Sequence, residues 1–183
     1  GLRMTLLLTL LTGLAYPAVV TPLCQWLFPV QANGAVVTKD GRPVGSALIG
    51  QTFTRPEYFH PRPSAVAYDA ANSGGSNLGP TSAKLHDRVQ AGVAQFRREN
   101  PDFHGPIPAD LLTTSASGLD PHLSPAAIDA QIPRVAKARG LTQDQLRQLV
   151  QLHTESPDLG FLGDRRVNVL LLNLALDEQS PRR

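Results

Sequence analysis

Cysteine is almost missing from this chain: Cys24 is the single one, so no intrachain disulfide can brace the fold. Charge is missing from a long stretch near the front, with no Lys, Arg, Asp or Glu between Met4 and Thr38. Aromatic residues make up only 5% of the sequence, so a core must be built mainly from Leu, Val, Ile and Ala. Clustered positive charge is lacking too. With a net charge of +2, neither a nucleic-acid partner nor a strongly basic membrane patch is expected, because both need Lys and Arg gathered on one face. The common signatures of chemistry are also missing. There is no G-x-x-x-x-G-K-[ST] phosphate loop and no G-x-S-x-G nucleophile elbow. His60, His86, His104, His122 and His153 are scattered, none at ligand spacing with Cys, His or a carboxylate, so no metal site is expected. Ser117, Asp120 and His122 are the residue types of a hydrolytic triad. They lie too close together in sequence, since such groups normally converge from separate elements, and no catalytic residue is assigned.

What is present begins with the uncharged stretch itself. Met4 to Leu23 is predominantly aliphatic, and about 20 residues of helix at ~1.5 Å each cover the roughly 30 Å hydrocarbon layer of a bilayer. A single membrane anchor over residues 1–30 is therefore expected, followed by one compact domain of mixed α and β structure over residues 31–183. Two other readings compete with a retained span. A cleaved secretory signal would have a shorter apolar core, and Ala15-Tyr16-Pro17-Ala18 is a poor cleavage sequence. A buried core helix would be less uniformly apolar. Within the span, Thr5, Thr9, Gly13 and Pro17 recur every four residues, the spacing of one helix face. Small residues so placed let a second helix approach closely, which predicts a packing partner in the membrane. Pro17 should kink the helix and Pro22 should end its regular part. Trp26 and Phe28 suit the membrane–water boundary. Arg3 and the amino terminus favour a cytoplasmic start while Lys39 and Arg42 pull the other way; on balance the domain is expected outside the cytoplasm.

Beyond the anchor, Lys39-Asp40-Gly41 separates two short extended runs, Ala35 to Thr38 and Val44 to Ile49, and reads as a β-hairpin. Gly50 to Pro80 is rich in turn formers, including the stiff Tyr58-to-Ser64 segment and a polar loop from Asn72 to Asn77. Leu85, Val89, Val93 and Phe96 predict a helix from Ala83 to Glu99, with Thr81 or Ser82 able to cap it. Ser124-Pro125 opens another helix, Pro133 should break it near Ile132, and Gly140 should close it. Thr142 with Gln145 forms a capping box for a helix to about His153. Val167, Val169 and Leu171 alternate like a strand that leads into a short helix ending near Asp177.

Several blocks, in order along nearly the whole chain, resemble one family. They are Tyr16-Pro17, Gln25 to Pro29, Gln31 to Gly34, Gly45 to Gln51, Tyr58-Phe59-His60 with Arg62-Pro63-Ser64, Ser73 to Leu78, Ser115 to Asp120, Gln131 to Arg139, Val167 to Val169, and Asn173 to Asp177. The chain is thereby similar to the C subunit of the Kdp high-affinity potassium-transporting P-type ATPase. Pro61, where the family has glycine, and Leu171, where it has glutamate, are departures.

The resemblance implies a non-catalytic subunit of the bacterial inner membrane, single-pass, with its N-terminus cytoplasmic and its domain extracytoplasmic. Its partners would be a channel-like potassium-translocating subunit and a P-type ATPase subunit, beside membrane lipid. No cofactor would be firmly bound, and potassium would be the ion carried by the complex. The family is also described as a catalytic chaperone that raises the pump's affinity for ATP. Carried over residue by residue, the nucleotide-contacting candidates are Ser117, Gly118, Leu119, Asp120 and Gln131. A domain outside the cell cannot reach cytoplasmic ATP, so any such effect would pass through contacts with partners. A directly nucleotide-binding regulatory subunit is the alternative.

Overall fold

A computed structural model describes residues 1–180, which fall into two compact units, one over Gly1–Leu48 and one from Ile49 onward. The structure is α+β: an apolar N-terminal helix precedes a domain of helices and small sheets.

The first unit is dominated by a continuous helix over Leu2–Leu27 in which no residue is buried. It consists of α1 (Leu2–Leu10), a wide π turn (Leu11–Ala15) and α2 (Tyr16–Leu27). Proline explains the wide turn. Pro17 has no N–H for the carbonyl one turn before it, and its ring crowds that carbonyl, so a locally underwound turn relieves the clash. Pro22, expected to end the helix, lies inside α2, which runs on to Leu27. In a segment with no competing fold, the remaining hydrogen bonds carry the helix past one missing donor. The underwound turn contains Gly13 and falls between Thr9 and Pro17. It counters the drift that a four-residue spacing accumulates on a 3.6-residue helix. A short helix, α3 (Pro29–Ala32), follows, and Asn33 ties back to Gln25 at 3.0 Å and to the Pro29 carbonyl at 2.7 Å.

The hairpin is as expected in kind. Strands β1 (Val36–Lys39) and β2 (Arg42–Ser46) pair antiparallel, with Lys39 opposite Arg42. Asp40 and Gly41 both have positive φ, 52° and 74°, the combination that a two-residue turn of matching twist requires. The second strand stops at Ser46 rather than Ile49, where the Ser46 hydroxyl donates to the Gly34 carbonyl at 2.6 Å. This hairpin groups with the apolar helix in the first unit.

The second unit has its core at the junction of four helices and a three-stranded sheet. The helices are α5 (Pro125–Asp129), α6 (Ile132–Arg139), α7 (Gln143–Leu152) and α8 (Val169–Gln179). The sheet runs β3 (His122–Leu123), β5 (Arg166–Asn168), β4 (Thr154–Glu155), all antiparallel. Leu123, Ile128, Ile132, Val135, Leu146, Val167, Leu172 and Leu176 form the sealed centre with Phe59, the one aromatic there. Ser124 caps α5 by accepting from Ala127, and the Thr142–Gln145 capping box is present with both reciprocal bonds. The break expected near Ile132 falls just before it, so Pro133 sits in the first turn of α6, where its missing donor costs nothing. Gly140 ends α6 in the left-handed conformation, φ 67°.

Two further details differ from expectation. The last strand is short: α8 already begins at Val169, because the Asn168 side chain accepts from the Leu171 N–H at 3.2 Å and starts the helix there. Helix α4 (Ala83–Glu99) has the expected bounds and Ser82 at its N-cap, yet no side chain caps it.

Candidate functional site

The site is organised by the segment from Tyr58 to Ser64, which pairs with no strand among the described residues. A peptide group buried without a partner is costly, so something must replace the missing strand. Two carboxamides do so. Asn173, from α8, accepts from the Phe59 N–H and donates to the Phe59 carbonyl, both at 2.9 Å. Gln131, just before α6, accepts from the His60 N–H at 2.8 Å and donates to the His60 carbonyl at 3.1 Å. A side-chain amide presents the donor and acceptor of a peptide side by side, so each mimics one rung of a ladder. Gln131 also accepts from Arg134 Nη2 at 2.7 Å and donates to the Ala127 carbonyl at 3.3 Å. It is 1% exposed with all four hydrogen-bonding positions occupied.

Arg134 is the charged centre of this clamp. Its guanidinium donates to Asn100 Oδ1 at 2.9 Å and to the carbonyls of Pro56 and Tyr58 at 2.6 and 2.9 Å. Burial lowers its pKa to about 10, partly offset by the field of Glu99, so it stays cationic at neutral pH. His60 sits between these charges, its ring 3.3 Å from Glu99 Oε2 and 3.4 Å from Arg134 Nη1. Burial, then the neighbouring Arg134, push its pKa below 6.5 against the opposing pull of Glu99 and the Arg55 carbonyl. Beside it opens a cleft of about 440 Å³ with Phe53, Phe96, Tyr68 and Gln131 among its lining residues.

Ser117, Gly118, Leu119 and Asp120 form a knot at the other end of the same segment. Ser64 Oγ donates to the Gly118 carbonyl at 2.6 Å and accepts from the N–H groups of Val66 and Tyr68. The Ser117 carbonyl receives the Gly74 N–H at 2.8 Å, and the Leu119 carbonyl receives the Gly50 N–H at 2.6 Å. Ser117 Oγ accepts from its own chain at Leu119 N, 3.1 Å, and lies 3.3 Å from Ser115 Oγ. Asp120 binds Arg62 Nη1 at 2.8 Å and the His122 N–H at 3.0 Å, with the His122 ring at 3.6 Å. Burial works against the ionised Asp120, but the bonds from His122 and the Arg62 guanidinium outweigh it and hold its pKa at about 2. The segment therefore joins the two groups of sequence candidates: His60 engages Gln131, and Arg62 engages Asp120. Ser117, Asp120 and His122 stand close, but the Ser117 hydroxyl is bonded within its own turn rather than to His122. The polar loop of residues 72–77 is tied to residues 114–117, through Gly74 and through Ser76 to Thr114 at 3.3 Å. No group of three or more His, Cys, Asp or Glu among the described residues is placed to hold a metal ion.

His60 and Asp120 each bind fewer protons folded than unfolded, so both make stability rise with pH. The Asp120 contribution is fully present above its ordinary value of 3.8 and is lost as pH falls toward about 2. The His60 contribution is fully present above 6.5 and declines as pH falls below it. The thermal midpoint of the full chain in detergent should therefore drop just below pH 6.5, and His60→Gln should flatten that drop. An unchanged slope in the variant would show that another group titrates.

The sequence profile of the family described as "K+-transporting ATPase, c chain" matches residues 1–178. The chain belongs to this family. Among similar proteins, the potassium-transporting ATPase KdpC subunit of Rhodopseudomonas palustris (strain TIE-1) is 56% identical, over 97% of this chain and 94% of its own length. Those of Myxococcus xanthus and Koribacter versatilis are 58% and 54% identical, over 98% and 97% of this chain and 86% and 92% of theirs. Sequence reasoning missed Arg134 and Asn173 as organisers of the clamp. An arginine inside a resembling block was the available signal, but apart from Gln131 its hydrogen-bond acceptors lie 34 to 78 residues away.

Proposed function

We propose that this chain is a non-catalytic accessory subunit of an ATP-driven, high-affinity potassium-uptake complex of the Kdp type. It holds together a channel-like potassium-translocating subunit and a P-type ATPase subunit in the bacterial inner membrane. The N-terminus is cytoplasmic, one helix crosses the bilayer, and the domain stands on the extracytoplasmic side. Any rise in the pump's ATP affinity then comes from differential contacts with its states, a chaperone effect without nucleotide in this domain. Membership of the c-chain family together with an apolar helix of 26 residues that buries nothing within its own chain supports this reading. Such a helix is covered by lipid or by other helices.

Gly13 makes the test clean. A β-carbon added there meets nothing within 4 Å, so Gly13→Leu disturbs no contact inside the chain. If the Thr5–Thr9–Gly13–Pro17 face packs on a partner helix, the variant should weaken assembly by about 1–2 kcal/mol, roughly 5- to 30-fold in complex yield on co-purification. An unchanged yield would remove that face from the interface. Topology is tested by Cys24→Ala with Asn72→Cys: an impermeant thiol reagent added to intact cells should label it. Against the alternative, direct ATP contact through Ser117–Asp120 and Gln131, stands the internal bonding of those residues. ATP should give them no hydrogen-exchange protection.

A further inference from the structure

The chain turns from β4 to β5 through residues 156–165, and the tip of this turn shows apolar side chains to water. Leu159, Phe161 and Leu162 are 83%, 74% and 50% exposed. Single exposed apolar residues are ordinary; three within four positions leave a contiguous apolar surface unburied. The tip is also held in shape. Asp158 and Leu162 exchange both main-chain hydrogen bonds at 2.9 Å, and the Gly160 N–H donates to the Pro157 carbonyl at 3.0 Å. At its base Arg166 grips Glu155 at 2.9 Å and Asp158 at 3.5 Å. Leu159 has φ 54°, a left-handed conformation in which a residue with a β-carbon is strained. A turn that only joined two strands would do better with glycine or asparagine there. Strain held in place by surrounding bonds, under an outward leucine, is the mark of a surface kept ready for a partner.

The charges of the tip select the partner. Between Glu155 and Arg166 there are three carboxylates and two guanidinium groups. Asp158 and Asp164 flank the apolar tip at either end, and Asp164 has no ion pair among the described residues. Arg166 bonds Glu155 and Asp158, and Arg165 stands next to Asp164, so the segment carries one net negative charge; its carboxylates give no attraction to an anionic bilayer, which takes a cluster of Lys and Arg. The carboxylates suit an apolar recess with a basic rim on another protein. We propose that the Leu159–Leu162 tip is a plug that docks into such a recess on another polypeptide of the transport assembly. The plug rests on the assembly reading above and adds the element that makes the contact.

The test uses the full chain carrying Cys24→Ala and Phe161→Cys, labelled at 161 with a polarity-sensitive thiol dye. It is measured in vesicles alone and in vesicles co-reconstituted with the other subunits. With those subunits present, emission should shift to the blue and iodide quenching should fall severalfold, while a lipid-embedded quencher stays without effect. Equal iodide quenching in both preparations overturns the plug. So does protection without partners when the lipid-embedded quencher acts, which assigns the tip to the bilayer. Protection without partners that grows with chain concentration assigns it to a second copy and also overturns the proposal. Because the dye replaces Phe161, Leu159→Ser in the native chain is a second measure: complex yield should fall severalfold with an unchanged thermal midpoint, and an unchanged yield counts against docking. If the subunits co-purify while the dye stays exposed, the plug is wrong and the assembly reading stands. If they never co-purify, both fall together.

Discussion

Replacing Arg139 by alanine should lower the stability of the second unit by about 3–5 kcal/mol, the usual cost of removing one partner from a buried ion pair. Arg139 Nη2 lies 2.7 Å from Asp177 Oδ1, and the two side chains are 4% and 12% exposed. The same guanidinium donates to the Glu57 and Ser180 carbonyls, at 2.9 and 3.0 Å, and lies 4.9 Å above the Tyr58 ring, whose hydroxyl donates to Asp177 at 2.9 Å. Alanine would take the guanidinium away from the Asp177 carboxylate and loosen the start of the Tyr58–Ser64 segment at once. Urea unfolding of the full chain in detergent reads the loss. The double variant with Asp177→Ala should cost less than the two single losses added, since the contact between the two side chains is then lost only once. Additive losses would show that the pair is not coupled. Arg139→Lys should recover only part, because an ammonium cannot span three acceptors with fixed geometry.

Gly118→Ala is the second large effect. With φ 68° the residue sits where a β-carbon is strained, and that carbon would lie 2.7 Å from the Gly74 oxygen and 2.8 Å from Val66 Cγ2. Main-chain oxygen cannot swing aside, so the turn must move, pulling on the Ser64–Gly118 and Gly74–Ser117 bonds. Strain of about 1–2 kcal/mol and two bonds of about 1 kcal/mol each give an expected loss of about 3–4 kcal/mol. Gly140 is the control, with φ 67° and nothing within 4 Å of an added β-carbon. Gly140→Ala should show only the strain, about 1–2 kcal/mol. If the two variants unfold at the same temperature, the close approach at residue 118 contributes nothing.

The elements legible in the sequence are those whose cause lies within a few residues. Leu85, Val89, Val93 and Phe96 repeat at helical spacing, and α4 has the expected bounds. Thr142 and Gln145 sit three apart and form the reciprocal cap. Asp40-Gly41 accepts two positive φ angles and turns the hairpin. Strands β3 and β4 were not legible, because two residues carry no periodicity and exist only by pairing with β5. The N-terminal boundary of α8 was misread for a related reason. Val167, Val169 and Leu171 alternate, but a single hydrogen bond from Asn168 decides where the strand stops.

The candidate site divides along the same line. Ser117 to Asp120 could be named from the resemblance, but not that Ser64, Gly74, Gly50 and Arg62 would occupy their polar groups. Gln131 could be named, but not that it stands in for a strand beside His60.

Residue order alone determined a long apolar helix, the hairpin, most helix starts and stops, and the family, because an apolar run is read along one segment and capping and turn chemistry act over one to four residues. Only the tertiary structure decided the path of the irregular residues 49–82 and the roles of the candidates along it. Their buried peptide groups find partners across separations as large as the 114 residues between Phe59 and Asn173. Such partners are chosen by the need to satisfy every buried donor and acceptor, a condition that no local spacing records.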